Sequence, residues 1–104
     1  MRRQFDVCRY PGASTADDAP YVCVLQSHYL AGMDTVIVAP LLRAAVASTE
    51  SQVTVPVSID GLDYVLDLAL LANIEMRDVG AVVGSLIDHE YDIRRALDRL
   101  FTGF

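Results

Sequence analysis

VTVPVSIDGLDYVL, running from Val53 to Leu66, decides the fold class of this 104-residue chain. Apolar and polar residues alternate from Val53 to Ile59, ahead of Asp60-Gly61, the spacing of a half-buried strand. A two-residue Asp-Gly step between such runs is the signature of a type I′ turn, because both positions need a positive φ. The segment therefore predicts an antiparallel hairpin of Val53 to Ile59 and Leu62 to Leu66. Pro56 has no N–H for a ladder, which predicts an edge strand or a bulge there.

Toward the N-terminus, Gln4 to Tyr10 and Tyr21 to Gln26 read as two more strands, separated by a polar loop from Pro11 to Pro20 that includes Asp17 and Asp18. A hairpin symmetric about that loop pairs residues whose numbers sum to 31, which sets Cys8 opposite Cys23. That register would allow a cross-strand disulfide, whereas a reducing compartment favours two strand-embedded thiols. Thr35 to Ala39 is β-branched and is expected to close at Pro40. Leu41 to Gln52 fits either a short helix or a loop, and the apolar stretch Asp67 to Leu86 does not choose between strand and turn.

The last twenty residues change period. Ser85 and Asp88 match the [ST]-x-x-[DE] box that starts a helix. Leu86, Ile93, Leu97, Leu100 and Phe104 then recur at three to four residues as one apolar stripe, with Glu90, Arg94 and Asp98 pairing at i,i+4 on another side. Gly103 suits the helix stop. Terminal residues fray unless they dock, so aromatics at Phe101 and Phe104 predict burial or a partner. Several antiparallel strands followed by one helix predict a single mainly-β domain over residues 1–104, a small barrel-like or open sheet with the helix packed on it.

Composition narrows the function. Fourteen acidic and eight basic residues give a formal charge of −6, the wrong sign for affinity built on phosphate neutralisation, so no direct sequence-specific nucleic-acid binding is expected. No uncharged apolar run reaches the length of a membrane span, and Met-Arg-Arg at the start is followed by no secretory apolar segment. A cytoplasmic location is expected. Hydrophobic residues make up 53% of the chain, a content that a homodimer hiding a shared apolar face would explain. His28 and His89 lack ligand or nucleophile partners at useful spacing, and phosphate loops and nucleophile elbows are absent. Neither a metal, a cofactor nor an enzyme is expected.

Gln4-Phe5-x-Val7, Gln26-Ser27, Val38-x-Pro40-Leu41, Ala72-x-Ile74 with Gly80, Val83 and Leu86, and Glu90-x-Asp92-Ile93-x-x-Ala96 leading to Phe101-x-Gly103 stand in an order and spacing that resemble the CcdB family of toxins from toxin–antitoxin modules. The resemblance implies an SH3-like barrel with antiparallel sheet and C-terminal helix, of CcdB/MazF-like type, in a cytoplasmic homodimer. It also implies a type II toxin that binds DNA gyrase A, traps the cleaved-DNA complex of gyrase and is neutralised by a cognate antitoxin. Carried over by position, the gyrase-contact residues are Ser27, Phe101 and Gly103, with Phe104 keeping an apolar residue beyond the helix.

Thr102 departs from the family pattern, which has tryptophan there. Threonine has no π face for a cation, and losing an interface anchor aromatic costs about 2 kcal/mol or more. Tyr29, beside Leu30, is a candidate replacement aromatic on the loop after the second strand. Two alternatives follow from the same resemblance. One is an mRNA-cleaving endoribonuclease toxin of this fold, with Arg43 and His28 as candidate groups; the other is a degenerate homologue that keeps dimerisation and antitoxin binding without toxicity.

Overall fold

A computed structural model of the chain describes residues 3–10, 20–27, 33–44 and 53–103. The described residues form seven strands: β1 Asp6–Arg9, β2 Tyr21–Val24, β3 Thr35–Arg43, β4 Thr54–Ile59, β5 Leu62–Asp67, β6 Ala72–Glu75 and β7 Val82–Ser85. An α-helix, α1, follows at Glu90–Thr102, and short 3-10 turns occupy Leu68–Leu70, Met76–Asp78 and Ile87–His89. All pairings are antiparallel, in the order β4-β5-β3-β2-β1-β7, with β6 also on β3. This is the mainly-β curled sheet with a terminal helix that the sequence predicts.

The Asp60-Gly61 hairpin forms as expected. Ile59 pairs with Leu62, and the two turn residues have φ of 52° and 80°, the positive values of a I′ turn. Pro56 sits on β4, at the sheet edge, where its missing N–H leaves no ladder partner wanting.

Pro40, by contrast, does not close its strand. β3 runs through it to Arg43, pairing Val22 with Pro40 on the β2 side. On the other side Thr35 to Val38 pair with β6 and Leu41 to Arg43 pair with β5. Pro40 thus falls in the gap where the outer neighbour changes, a position that tolerates the loss of a donor. The long strand serves as a shared spine, and the divergence of β5 and β6 from it curls the sheet. Residues 41–43 therefore extend β3 rather than start a helix or loop, and the rest of the Leu41 to Gln52 expectation lies outside the described residues.

The first hairpin differs by one residue from its predicted register. Val7 pairs with Cys23 and Cys8 with Val22, a sum of 30. The Pro20 carbonyl accepts from the Tyr10 N–H at 3.1 Å, so Pro20 joins the hairpin stem instead of the loop. A slip of one residue turns every side chain to the other face. Cys23 packs with Val7, Leu25, Leu41 and Leu66 on the helix side, whereas Cys8 packs with Val22, Val24, Val36, Val38 and Val79 on the opposite side. Both are buried and no disulfide joins them.

The larger core lies under α1. Ile93 and Ala96 are its buried helix residues, set against Phe5, Leu66, Leu68 and Leu86. Phe5 takes a φ of 70°, costly for an aromatic residue. It is held there from three directions: its N–H donates to Val24 O at 2.6 Å, its carbonyl accepts from Leu86 N–H at 2.8 Å, and the Arg94 guanidinium lies 5.7 Å from its ring centre. The residue ties the sheet to the base of the helix. At Gly80 the backbone comes within 2.7 Å, nitrogen to oxygen, of Arg9, and a Cβ there would meet that oxygen at 2.9 Å. Only glycine allows this approach.

Candidate functional site

Ser85 is the last residue of β7, and its Oγ accepts from the Ile87 N–H at 3.2 Å. It caps the 3-10 turn Ile87–His89, not the α-helix. Among the described residues no reciprocal Asp88 bond completes the expected box. The helix proper begins after His89, which contributes no side-chain cap, and carries Glu90 and Asp92 in its first turn, where they complement the positive end of the dipole.

From there the apolar stripe runs as expected as far as Leu100, but of the expected i,i+4 ion pairs only Glu90–Arg94 forms among the described residues, and Asp98 stays outside it. Ile93 is fully buried, and Leu97 and Leu100 are half-buried. Glu90 and Arg94 pair at 2.7 Å. Gly103 ends the helix with φ of 80°, its N–H bonded to Arg99 O, as a left-handed stop requires.

The predicted contact residues fall on two elements. Phe101, Thr102 and Gly103 are consecutive at the end of α1 and all exposed, Phe101 to 70%. That exposure removes the reading of Phe101 as core under the helix. The Thr102 hydroxyl donates to the Asp98 carbonyl one turn back, so it is committed to the helix.

Ser27 lies half-buried just after β2. Gln4 Nε2 donates to the Leu25 carbonyl at 3.0 Å, and Gln26 Oε1 accepts from the Ile37 N–H at 3.3 Å. These two glutamines fix the end of β2. Tyr29, Leu30, His28 and Phe104 lie outside the described residues, as do Asp17 and Asp18.

Arg43, the candidate group of the endoribonuclease alternative, is half-buried at the end of β3 with its guanidinium 5.9 Å from the Tyr64 ring centre. Tyr64 is buried and meets Tyr21 edge-on at 5.6 Å, and Arg9 lies 5.9 Å from the Tyr21 ring. The string Arg9, Tyr21, Tyr64, Arg43 braces the sheet through cation–π contacts. Among the described residues no three of His, Cys, Asp and Glu converge on a metal-sized site, and no helix is long and apolar enough to cross a membrane.

One feature of the helix is not evident from the sequence pattern alone. Its outward side carries Tyr91, exposed to 62%, as well as the expected charges, and Ile87 of the preceding 3-10 turn is exposed to 52%. The Arg95 guanidinium covers one face of the Tyr91 ring at 5.6 Å. The signal is present in the spacing of residues 87, 91, 94, 98 and 101, which steps by four and three, but it competes with the stronger buried stripe.

A family model described as CcdB protein matches residues 4–103. No curated protein sequence matches the chain. Among solved structures, one described as an endoribonuclease in complex with its cognate antitoxin, from Mycobacterial species, superposes with a TM-score of 0.74 at 11% identity, over 94% of this chain and 92% of that one. The likeness extends to the fold. With residues 4–103 accounted for by a single family model, and a solved structure sharing the fold over nearly its whole length, the chain belongs to the CcdB family.

Proposed function

We propose that this chain is the toxin of a type II toxin–antitoxin module, a cytoplasmic homodimer that grips DNA gyrase A with the end of α1 and traps gyrase on cleaved DNA. A cognate antitoxin neutralises it. The harm comes from a protein interface and not from catalysis by the toxin. The observation that carries this reading is Phe101, a large aromatic 70% exposed on the last turn of a helix whose inner face is already packed. Aromatics in such positions are characteristic interface anchors. The antitoxin as partner is supported by the similar solved structure, a toxin held by its cognate antitoxin.

Titration of the purified chain against DNA gyrase A tests the reading. Saturable binding that Phe101→Asp weakens by tenfold or more is expected; absence of binding by the folded wild type would remove it. The endoribonuclease alternative draws its support from the printed activity of the same similar structure, with Arg43 and His28 of this chain as its candidate groups. Incubation with mRNA separates the two: cleavage lost in Arg43→Ala would favour the enzyme, and intact RNA favours the interface.

A further inference from the structure

β4 is an edge strand, paired with β5 on one side only. Ile59 and Leu62 flank the two-residue turn, so every second residue of β4 bonds to β5 and those between turn their backbone groups to the open side. The Leu68 N–H on the Val53 carbonyl keeps the same phase. Pro56 therefore presents a carbonyl and no N–H outward, which disfavours addition of a full strand there. Beside this edge runs one flank of α1. Thr54, Val55 and Pro56 together with Asp92, Arg95, Ala96 and Arg99 line a cleft of about 160 Å³. Its buried lining is apolar, from Val55 and Ala96, and its helix wall carries two arginines against one aspartate.

A locally positive cleft stands out on a chain of net charge −6. Among the described residues the ion pairs are Glu75–Arg77 and Glu90–Arg94, so neither Arg95 nor Arg99 has a carboxylate partner. Arg95 is exposed and rests against the Tyr91 ring; Arg99 is half-buried. A guanidinium partly withdrawn from water gains most from an ionised acceptor that matches its fork of N–H donors.

We propose that this cleft binds an extended acidic segment of a partner protein, through carboxylates at alternate positions. Arg95 and Arg99 are one helical turn apart, about 6 Å along the axis. Side chains two apart on an extended chain point the same way at a spacing of about 6.7 Å, so an acid-x-acid segment reaches both arginines at once. The Pro56 carbonyl supplies an acceptor for one backbone N–H of that segment, and Val55 with Ala96 gives the chain an apolar seat. The proposal is independent of the gyrase reading, and its test needs no gyrase.

The test is an amide-shift NMR titration of the full-length chain with the synthetic peptide acetyl-Thr-Glu-Val-Glu-Thr-amide, at low and high salt. Comparison peptides replace both Glu by Gln, or place the two Glu side by side. The protein variants are Arg95→Gln, Arg99→Gln and, as a control on the Met76–Asp78 turn, Arg77→Gln, each checked for an unchanged melting temperature. Saturable shifts at Thr54, Val55, Ala96 and Arg99 are expected, weakening with salt. Kd is expected to rise about tenfold in Arg99→Gln and with the Gln peptide, about threefold in the more exposed Arg95→Gln, and not at all in Arg77→Gln. Absence of saturable shifts overturns the proposal, as does an unchanged Kd in both Arg95→Gln and Arg99→Gln. Equal affinity for the peptide with adjacent Glu overturns the extended acid-x-acid match. Tighter binding of inorganic phosphate or of an oligothymidylate than of the peptide assigns the cleft to phosphate groups and also overturns it.

Discussion

Cys23 is buried completely in the core beneath α1, and that burial, with smaller repulsions from Cys8 and Asp6, pushes its thiol up to about 12 from an ordinary 9.0. The folded state therefore keeps a proton that the unfolded state releases first. Below pH 9 both states are protonated and the group has no effect; between pH 9 and 12 the unfolded state ionises preferentially, so stability falls as pH rises. Urea unfolding across this window is expected to show a decline that is shallower in Cys23→Ala than in wild type. An equal decline in both would exclude the thiol as its source. At the other end of the molecule, Thr102→Trp restores a π face beside Phe101, and gyrase affinity is expected to rise tenfold or more. An unchanged Kd would mean that an aromatic at this position is not what limits binding.

Among the elements, α1 and the β4–β5 hairpin show why some structure is legible in the sequence and some is not. Asp60-Gly61 needs two positive φ values that few other residue pairs supply, so sequence alone locates the turn to the residue. Gly61→Val is expected to lower stability by about 1–2 kcal/mol through that backbone conformation, measured by denaturant midpoint. The inward stripe of α1 is equally plain, since Ile93, Leu97 and Leu100 repeat over about two turns. Ile93→Ala should cost about 2–5 kcal/mol, with loss of the helix's hold on the sheet. By comparison β6 and β7 are four residues each, two repeats of an alternating pattern, and half-exposed besides. Periodicity cannot separate such strands from turns. The Cys8–Cys23 register fails for a single reason, the membership of Pro20 in the hairpin stem. The path of β3 through Pro40 is invisible in sequence because it depends on which strands meet on its far side.

For the whole molecule, order and spacing of short motifs along nearly the entire chain are more telling than any one of them, and they point to the family that the matching of residues 4–103 establishes. The candidate site is legible at Phe101 and Gly103, where family positions and helix geometry coincide. The exposure of Tyr91 is not legible there, because it shows only once the inner face of α1 is known to be filled. A homodimer predicts a sedimentation mass of about twice the 11.4 kDa chain; a monomer at tens of micromolar would refute that part of the proposal. The most direct measurement is a DNA-cleavage assay with purified gyrase and this protein, scoring linear DNA after denaturing the trapped complex. Gyrase poisoning through the end of α1 predicts linear product that Phe101→Asp abolishes. Intact supercoiled substrate in the presence of the folded wild-type protein would contradict it.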